Sequence, residues 1–131
     1  LPAIKKILGP LTYKRVRHII TEQERTIKSA KALQKGDILA FSGFLDDSHA
    51  SLKYDYEVTG LELDTLVTLL KESGAIGARM TGAGFGGCAL AIVPRDKVAS
   101  LTAYVTDMYT KKIGYAPTFF PTDISDGTHA L

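Results

Sequence analysis

Residues 79–88 read Arg-Met-Thr-Gly-Ala-Gly-Phe-Gly-Gly-Cys, and they join two short apolar runs, Ala75 to Thr81 and Cys88 to Val93. Short apolar runs bounded by glycine and proline are typical of β-strands. Four of the six positions from 82 to 87 are glycine. A hairpin turn needs only one or two glycines, and each costs backbone entropy on folding. The excess favours a binding loop over a simple turn in which Phe85 fills the core beneath it.

The spacing of these glycines fits the pattern G-x-G-x-x-G of dinucleotide-binding proteins, but their surroundings do not. In those proteins the last glycine opens a helix that holds the pyrophosphate, whereas here an apolar run follows until Pro94. A Walker A loop is excluded because no Lys-Ser or Lys-Thr pair follows the glycines. What remains is a strand, glycine loop, strand unit whose backbone N–H groups can turn towards an anion.

Two helices are predicted before the hairpin, in succession. Apolar residues recur at helical spacing from Thr12 to Lys35, and Gly36 ends the pattern. Asp37 is placed to cap a second helix. The inward face of that helix would consist of Ile38, Phe41, Leu45 and Leu52.

One further helix is predicted directly before the hairpin and another directly after it. Thr59 and Glu62 have the spacing of a capping box for a third helix, which ends at Gly74. Pro94 opens a fourth helix, which Gly114 ends. Their buried faces would be Leu63, Leu66, Val67 and Leu70 in the third helix, and Val98, Leu101, Val105 and Met108 in the fourth. Thr118, Phe119 and Phe120 then predict a last strand.

This order of elements predicts an α+β fold, a small antiparallel sheet with helices packed on one face. The nearest named pattern is the ferredoxin-like βαββαβ order, whose first strand is weak here or supplied by Tyr54 to Val58, a stretch that we interpret as extended. With 131 residues the chain fits one domain, residues 1–131, with a single core. It begins at Leu1 without a Met, and residues 1–10 look like the end of a preceding segment, so we expect a fragment.

Composition excludes several classes of partner. The formal net charge is +2 and the basic residues are interspersed with acidic ones, so we expect no nucleic acid partner. The longest apolar run, Cys88 to Val93, is far shorter than the roughly 20 residues that a membrane span needs. One cysteine cannot form an internal disulfide, which predicts a cytoplasmic protein.

Beyond the glycines, several segments resemble the C-terminal domain of galactokinases, a branch of the GHMP kinase superfamily. Residues 79–88 are similar to the third conserved motif of that family. Further similar segments follow the family's order from about Arg17 to Gly127: His18 with Glu22, Arg25 and Thr26, then Gly36-Asp37, residues 48–52, residues 55–58 and residues 62–64. Ala83 stands where many members have glycine, and Thr59 stands where serine is common.

The resemblance implies a part in the ATP-dependent phosphorylation of galactose to galactose 1-phosphate, with ATP and Mg²⁺ as cofactors of the complete enzyme. The family's sugar motif, catalytic aspartate and main phosphate loop belong to an N-terminal half. Neither Gly-Leu-Ser-Ser-Ser nor Gly-Glu-His-Thr-Asp occurs in this sequence. We therefore expect no catalytic residue here, no activity and no tightly bound cofactor in the chain alone. Its partners would be the missing N-terminal domain, galactose and ATP.

The resemblance also implies the candidate site, a loop close to the phosphates of ATP. Its residues are Thr81, Gly82, Ala83, Gly84, Phe85, Gly86 and Gly87. Secondary candidates are Arg79, Asp55 and Tyr56. Arg79 could reach a phosphate or pair with a carboxylate. On an extended segment Asp55 and Glu57 would point the same way, although a loop at a domain interface is favoured over acid–base chemistry.

Other polar residues have structural interpretations. We expect Cys88 to be a small buried residue at a strand start and His49 to be a helix-end residue with a local hydrogen bond. The cluster of Lys14, Arg15, Arg17 and His18 would be a solvated helix face or a contact with the absent domain. The three histidines are too far apart in the sequence to predict a metal site.

Two other functions stay open. One is a non-catalytic, ferredoxin-like module that binds a small anion or metabolite at the glycine hairpin. The other is the C-terminal domain of another GHMP kinase, acting on mevalonate or homoserine. The Tyr-Glu-Val and Arg-Met-Thr-Gly stretches favour the galactose branch.

Overall fold

The computed structural model describes residues 2–124 and 126, with side chains from Ile4 onwards; Leu1, Gly127 and His129 lie outside the described residues. The described helices are α1 (Pro2–Ile7), α2 (Pro10–Gln34), α3 (Ile38–Ser51), α4 (Gly60–Glu72) and α5 (Val98–Ile113). The strands β1 (Gly77–Thr81) and β2 (Cys88–Ile92) form an antiparallel pair. A π-helical turn, Leu52–Tyr56, follows α3, and a 3₁₀ turn, Arg95–Lys97, precedes α5. The predicted α+β class with a small antiparallel sheet is confirmed.

The helices end where the sequence places residues that stop a helix. Asp37 caps α3, because its Oδ1 accepts a hydrogen bond of 3.0 Å from the N–H of Ala40. Gly36, Gly74 and Gly114 have φ angles of 70°, 111° and 103°, the left-handed conformation that commonly ends a helix. Although α2 runs for 25 residues, no helix in the described part of the chain combines the length and apolar character needed to cross a membrane.

The main core lies between α4, α5 and the hairpin. Leu69, Ala78 and Val105 have no exposed surface at its centre. A second, smaller cluster brings Leu52, Leu63 and Met80 together. Full burial of an aliphatic side chain of this size stabilises the fold by about 1.5–3 kcal/mol. The hairpin is therefore held chiefly by the apolar faces of α4 and α5.

Most of the predicted buried faces are confirmed, but that of α3 is only partly right. Leu45 and Leu52 are buried, whereas Ile38 is 39% exposed. Serines and a histidine occupy much of the buried face of α3 instead: Ser42, Ser48, His49 and Ser51. This polar face lies against β1 and α2 and supplies hydrogen bonds to both.

One edge of β1 is covered by side chains of α3. The N–H of Ala78 donates to Asp46 Oδ1 at 2.9 Å, and the N–H of Met80 donates to His49 Nδ1 at 3.1 Å. Asp46 and His49 are three residues apart and so share a face of the helix. Buried N–H groups at a strand edge need acceptors, and α3 provides them in place of a third strand. The hydrogen bond of His49 is therefore long-range, and the expected local one is wrong.

The stretch from Tyr54 to Val58 is not extended, so that prediction is wrong. The π-helical turn includes Asp55, and the N–H of Val58 closes it with a 3.2 Å hydrogen bond to the carbonyl of Leu52. Glu57 then adopts a left-handed conformation with a φ of 61°. The turn points the carbonyl of Val58 towards the glycine hairpin.

The predicted capping box at the start of α4 does not form. Thr59 is the residue before the helix, but its hydroxyl makes no capping hydrogen bond. The φ and ψ angles of Thr59, −80° and −62°, are already helical, whereas a capping residue usually has an extended backbone.

The predicted strand from Thr118 to Phe120 is also wrong, since these residues have no regular secondary structure. Phe119 packs against the main core and Phe120 is 79% exposed. Pro117 and Pro121 flank the segment, and a proline has no N–H to contribute to a strand ladder.

A substitution at Gly77 tests the close packing of α3 on β1. A Cβ at Gly77 would lie 2.6 Å from the carbonyl oxygen of Ser42 and 2.7 Å from its Cα, which are both backbone atoms of α3. We expect Gly77→Ala to lower the free energy of unfolding by about 1–3 kcal/mol, because α3 must move away from the strand. Urea unfolding of the chain measures this change.

Gly43→Ala is the matched control, since a Cβ at Gly43 in the same helix would meet nothing within 4 Å. Alanine is a better helix former than glycine, so this change should raise the free energy of unfolding by about 0.5–1 kcal/mol. Equal effects of the two substitutions would contradict the packing described here.

Candidate functional site

The glycine loop, residues 82–87, has a backbone that glycine is needed to form. Gly82, Gly84, Gly86 and Gly87 have φ angles of 87°, 89°, 117° and 92°. L-residues rarely adopt such angles, yet Phe85 also has a φ of 58°. Ala83 is the one loop residue outside this left-handed region. The positive φ angles of the loop therefore explain its high glycine content, and alanine stands at the one loop position without such an angle.

The loop is fixed to the rest of the chain at Val58. The N–H of Phe85 donates to the carbonyl oxygen of Val58 at 2.7 Å. A Cβ at Gly84 would lie under 3.0 Å from the same oxygen, too close for any real side chain. Position 84 thus needs glycine for two reasons: its positive φ angle and the closeness of the Val58 oxygen. At Gly82, Gly86 and Gly87 a Cβ would meet nothing within 4 Å.

The loop borders a depression of about 540 Å³ that is open to solvent and lined by residues 81–88. Phe85 is 77% exposed there and does not fill the core. Cys88 is exposed as well, so its predicted burial is wrong. Cys88 pairs with Thr81 at the end of the hairpin that leads into the loop, and Thr81 is exposed too.

Cations of α2 hold the turn that carries Val58. The guanidinium of Arg17 binds both carboxylate oxygens of Asp55, which is 7% exposed. Arg15 and Lys14 lie 2.8 and 3.3 Å from the carboxylate of Glu57, and these hydrogen bonds lower the pKa of Glu57. This basic cluster therefore makes ion pairs within the domain, while the side chains of Lys14 and Arg17 each stay 43% exposed. A contact of the cluster with an absent domain stays a prediction.

Tyr56 packs on α2 through His18. The two rings are stacked with centroids 4.7 Å apart. His18 is 5% exposed, and its Nδ1 lies 2.9 Å from Ser51 Oγ. Burial lowers the pKa of His18, although the nearby carboxylate of Glu22 opposes that effect. The neutral imidazole of His18 thus holds Tyr56, at the end of the π-helical turn, against α2.

Arg79 pairs with a carboxylate, which is the structural one of its two predicted roles. Its Nη1 lies 3.2 Å from Glu22 Oε1, and its Nε donates to the carbonyl of Met80 at 2.8 Å. Glu22 also accepts from Ser48 and lies 2.8 Å from Arg25. Burial alone would raise the pKa of Glu22, but the hydrogen bonds from Ser48 and Arg25 and the charges of both arginines lower it.

The site as a whole suits an anion better than a metal. The loop and its two flanking residues, 81–88, contain no acidic side chain. Within residues 2–124 and 126, no group of three His, Cys, Asp or Glu side chains is placed to hold a metal ion. Where left-handed and right-handed residues alternate, successive backbone N–H groups can point into one concavity. The N–H of Phe85, however, is committed to Val58.

The sequence predicts the glycines, Asp55 and Tyr56 as parts of one candidate site but carries no signal for the groups that join them. The joining groups are the carbonyl of Val58 and the arginines of α2. A backbone carbonyl has no residue type of its own, so no sequence signal marks it. For Arg17 and Asp55 the opposite charges were visible, but they are 38 residues apart.

A helical layer packed on an antiparallel hairpin, with a glycine loop at the hairpin's end, is the arrangement expected from the resemblance to kinase C-terminal domains. The family described as GHMP kinases C terminal matches residues 29–111. The chain therefore belongs to the GHMP kinase C-terminal family, which confirms the resemblance noted above.

The relatives are galactokinases. The chain is 53% identical to the galactokinase of Ligilactobacillus salivarius (strain UCC118) over 119 residues, which cover 90% of the chain and 31% of the relative. Its structure resembles that of Lactococcus lactis galactokinase complexed with galactose, with a TM-score of 0.83, 48% identity and coverage of 88% of this chain and 30% of that one. The chain thus spans about 30% of the length of these relatives.

A more distant similarity links the chain to L. major mevalonate kinase in complex with R-mevalonate. The TM-score is 0.57 at 25% identity, over 69% of this chain and 26% of that one. The fold is therefore common to kinases with different acceptors, and the galactokinases are the nearer of these relatives.

The contact between the loop and Val58 can be tested with two alanine substitutions. Gly84→Ala and Gly86→Ala both place alanine at a positive φ angle, which costs roughly 1–2 kcal/mol. Only Gly84→Ala also brings a Cβ onto the oxygen of Val58. We expect Gly84→Ala to break the hydrogen bond from Phe85 and to destabilise the chain further by about 1 kcal/mol.

Amide hydrogen exchange at Phe85 measures this outcome directly. Its protection should be lost in Gly84→Ala and retained in Gly86→Ala. Retained protection in Gly84→Ala would show that the loop does not depend on Val58.

Proposed function

We propose that this chain, residues 1–131, is the C-terminal domain of a galactokinase, a cytoplasmic enzyme that transfers the γ-phosphoryl group of ATP to galactose. The observation that carries the proposal is the similarity to Lactococcus lactis galactokinase, at a TM-score of 0.83 and 48% identity. Metabolite-binding modules of the same general fold would have no reason to share half of their residues with a galactokinase.

In this proposal the glycine loop forms one wall of the phosphate site. Phosphoryl transfer depends mainly on positioning and on stabilising charge on the transferred group. The open space at Gly82, Gly86 and Gly87 lets a phosphate approach the backbone. Residues 81–88 bring no negative charge to the depression, so a triphosphate would meet no repulsion from the side chains of that loop.

The residues of the glycine loop fit the phosphates of ATP, and we assign none of them to magnesium. Magnesium neutralises phosphate charge when it is bound. The chain's own contribution is to hold the loop at Val58 and to exclude water from one side of the phosphates. We assign the sugar-binding groups and the catalytic base to the rest of the enzyme, so the chain alone is expected to be inactive.

Galactose-dependent ADP release by the complete reading frame tests the proposed function. We expect the complete protein to phosphorylate galactose in preference to mevalonate, homoserine and N-acetylgalactosamine, and the 131-residue chain to give no turnover. Turnover of mevalonate or homoserine instead would assign the domain to another GHMP kinase. A complete protein that turns over none of these acceptors would favour the metabolite-binding module.

Ala83→Leu tests the position of the loop beside ATP. Ala83 is exposed, borders the depression and has no positive φ angle, so a larger side chain causes no strain within this chain. In the complete enzyme the added atoms would occupy space beside the phosphates. Because small displacements of reacting groups can cost about a hundredfold in rate, we expect kcat/KM for ATP to fall by about tenfold or more.

Ala99→Leu is the matched control, since Ala99 is also exposed but lies on α5. It should leave the ATP kinetics unchanged, and both variants should keep the melting temperature of the parent enzyme. Normal ATP kinetics in Ala83→Leu would remove the loop from the phosphate site.

A further inference from the structure

His49 links α3 to the strand that leads into the glycine loop. Its side chain is buried, with 8% of the residue exposed. Nδ1 accepts the N–H of Met80 at 3.1 Å, and Met80 is separated from Gly82 by Thr81 alone. On the other side of the ring, Nε2 lies 3.2 Å from Asp64 Oδ1 on α4. One imidazole therefore joins the strand to two helices.

These contacts select one form of the ring. A backbone N–H can only donate, so Nδ1 must present its lone pair to Met80 and the proton of the neutral ring lies on Nε2. Nε2 lies close to Asp64 Oδ1, a buried oxygen that has no hydrogen bond in the described part of the chain, so the two groups are near each other but poorly aligned. A histidine protonated on both nitrogens would lose the acceptor that Met80 uses.

The charges around His49 come from three elements. Asp64 on α4 favours the protonated ring, whereas Lys53 in the π-helical turn and Arg79 on β1 disfavour it. Burial has the largest effect, and together these influences lower the pKa of His49 below its ordinary value of 6.5. At neutral pH the ring is therefore neutral, as its contact with Met80 requires.

We propose that His49 is a positioning residue for the glycine loop, acting through the N–H of Met80 in its Nε2-protonated form. The inference rests on the proposed function, because it is the loop's placement beside ATP that makes its position matter. Val58 holds the loop at Gly84 and Phe85. His49 holds the strand end from which the loop departs, so the two contacts fix the first half of the loop from both sides.

Two amide substitutions in the complete enzyme separate the contacts of His49. In His49→Asn the amide oxygen can take the place of Nδ1 and accept from Met80, while the contact with Asp64 is lost. In His49→Gln the amide can take the place of Nε2 and reach Asp64, while Met80 is left without an acceptor. We expect His49→Gln to raise KM for ATP about tenfold with KM for galactose unchanged, and His49→Asn to resemble the parent enzyme.

Asp46→Ala is the control for a purely structural role. It removes the hydrogen bond from the N–H of Ala78, two residues further from the loop, together with the ion pair between Asp46 and Lys71. It should lower the melting temperature but leave KM for ATP unchanged. If Asp46→Ala raises KM for ATP as much as His49→Gln does, or if the Asn and Gln variants behave alike, the positioning role is overturned.

The pH dependence gives an independent readout. Because the pKa of His49 is lowered, the hydrogen bond to Met80 is intact at neutral pH and is lost only as the pH falls below the ordinary histidine value towards the lowered pKa. KM for ATP should rise over that range in the parent enzyme and stay flat in His49→Asn. Identical pH profiles in the two would contradict the proposal.

Hydrogen exchange in the complete protein separates this inference from the proposed function. Faster exchange of the amides at positions 80–84 in His49→Gln, but not in His49→Asn, supports the positioning role whatever the acceptor proves to be. Unchanged exchange in His49→Gln would overturn it. A complete enzyme that shows this pattern but does not phosphorylate galactose would refute the proposed function alone.

Discussion

The carbonyl oxygen of Val58 is the point on which the geometry of the glycine loop depends. It accepts the N–H of Phe85 and leaves no room for a side chain at Gly84. A backbone oxygen can hold a loop in one place only if its own peptide is fixed. The structure around Val58 therefore decides where the loop lies, and that structure is built by α2, the end of α3 and the π-helical turn.

The ion pairs that hold this turn are not equal. Glu57 is half exposed, as is its partner Lys14, and exposed ion pairs contribute little to stability because solvent screens their charges. Asp55 is buried, and Arg17 meets both of its carboxylate oxygens. Removing Arg17, whose side chain is itself 43% exposed, would leave the buried carboxylate of Asp55 without compensation. The Arg17–Asp55 pair is thus the principal electrostatic support of Val58, and Glu57 is secondary.

Periodicity and stop signals predicted α2, α3, α4 and α5 well because both are local properties. Gly36, Gly74 and Gly114 act within a few residues of themselves. The prediction that Tyr54 to Val58 is extended was wrong because the conformation of this stretch depends on Arg17, which lies 38 residues before Asp55. The prediction that Cys88 is buried was wrong for a related reason. Apolar strand positions are buried only where a helix packs on them, and the sequence does not show where that packing ends.

The position of the glycine loop was predictable from the sequence, but the cause of its glycine content was not. The excess of glycine predicts a loop between the two strands, which the structure contains, and favours binding as the cause of that excess. In the structure every glycine of the loop has a positive φ angle, and Gly84 has a close neighbour within its own chain. The prediction for His49 was a local hydrogen bond, because a sequence cannot show which distant N–H donates a hydrogen bond to a side chain.

The two supports of the loop make its halves different. The first half leaves a strand held by His49 and meets Val58 at Gly84 and Phe85. A Cβ at Gly86 or Gly87 would meet only open space. Positioning a charged group requires a backbone that does not have to reorganise when the group arrives. The first half meets that requirement through its contacts, so the preorganised part of the candidate site is the segment from Thr81 to Phe85.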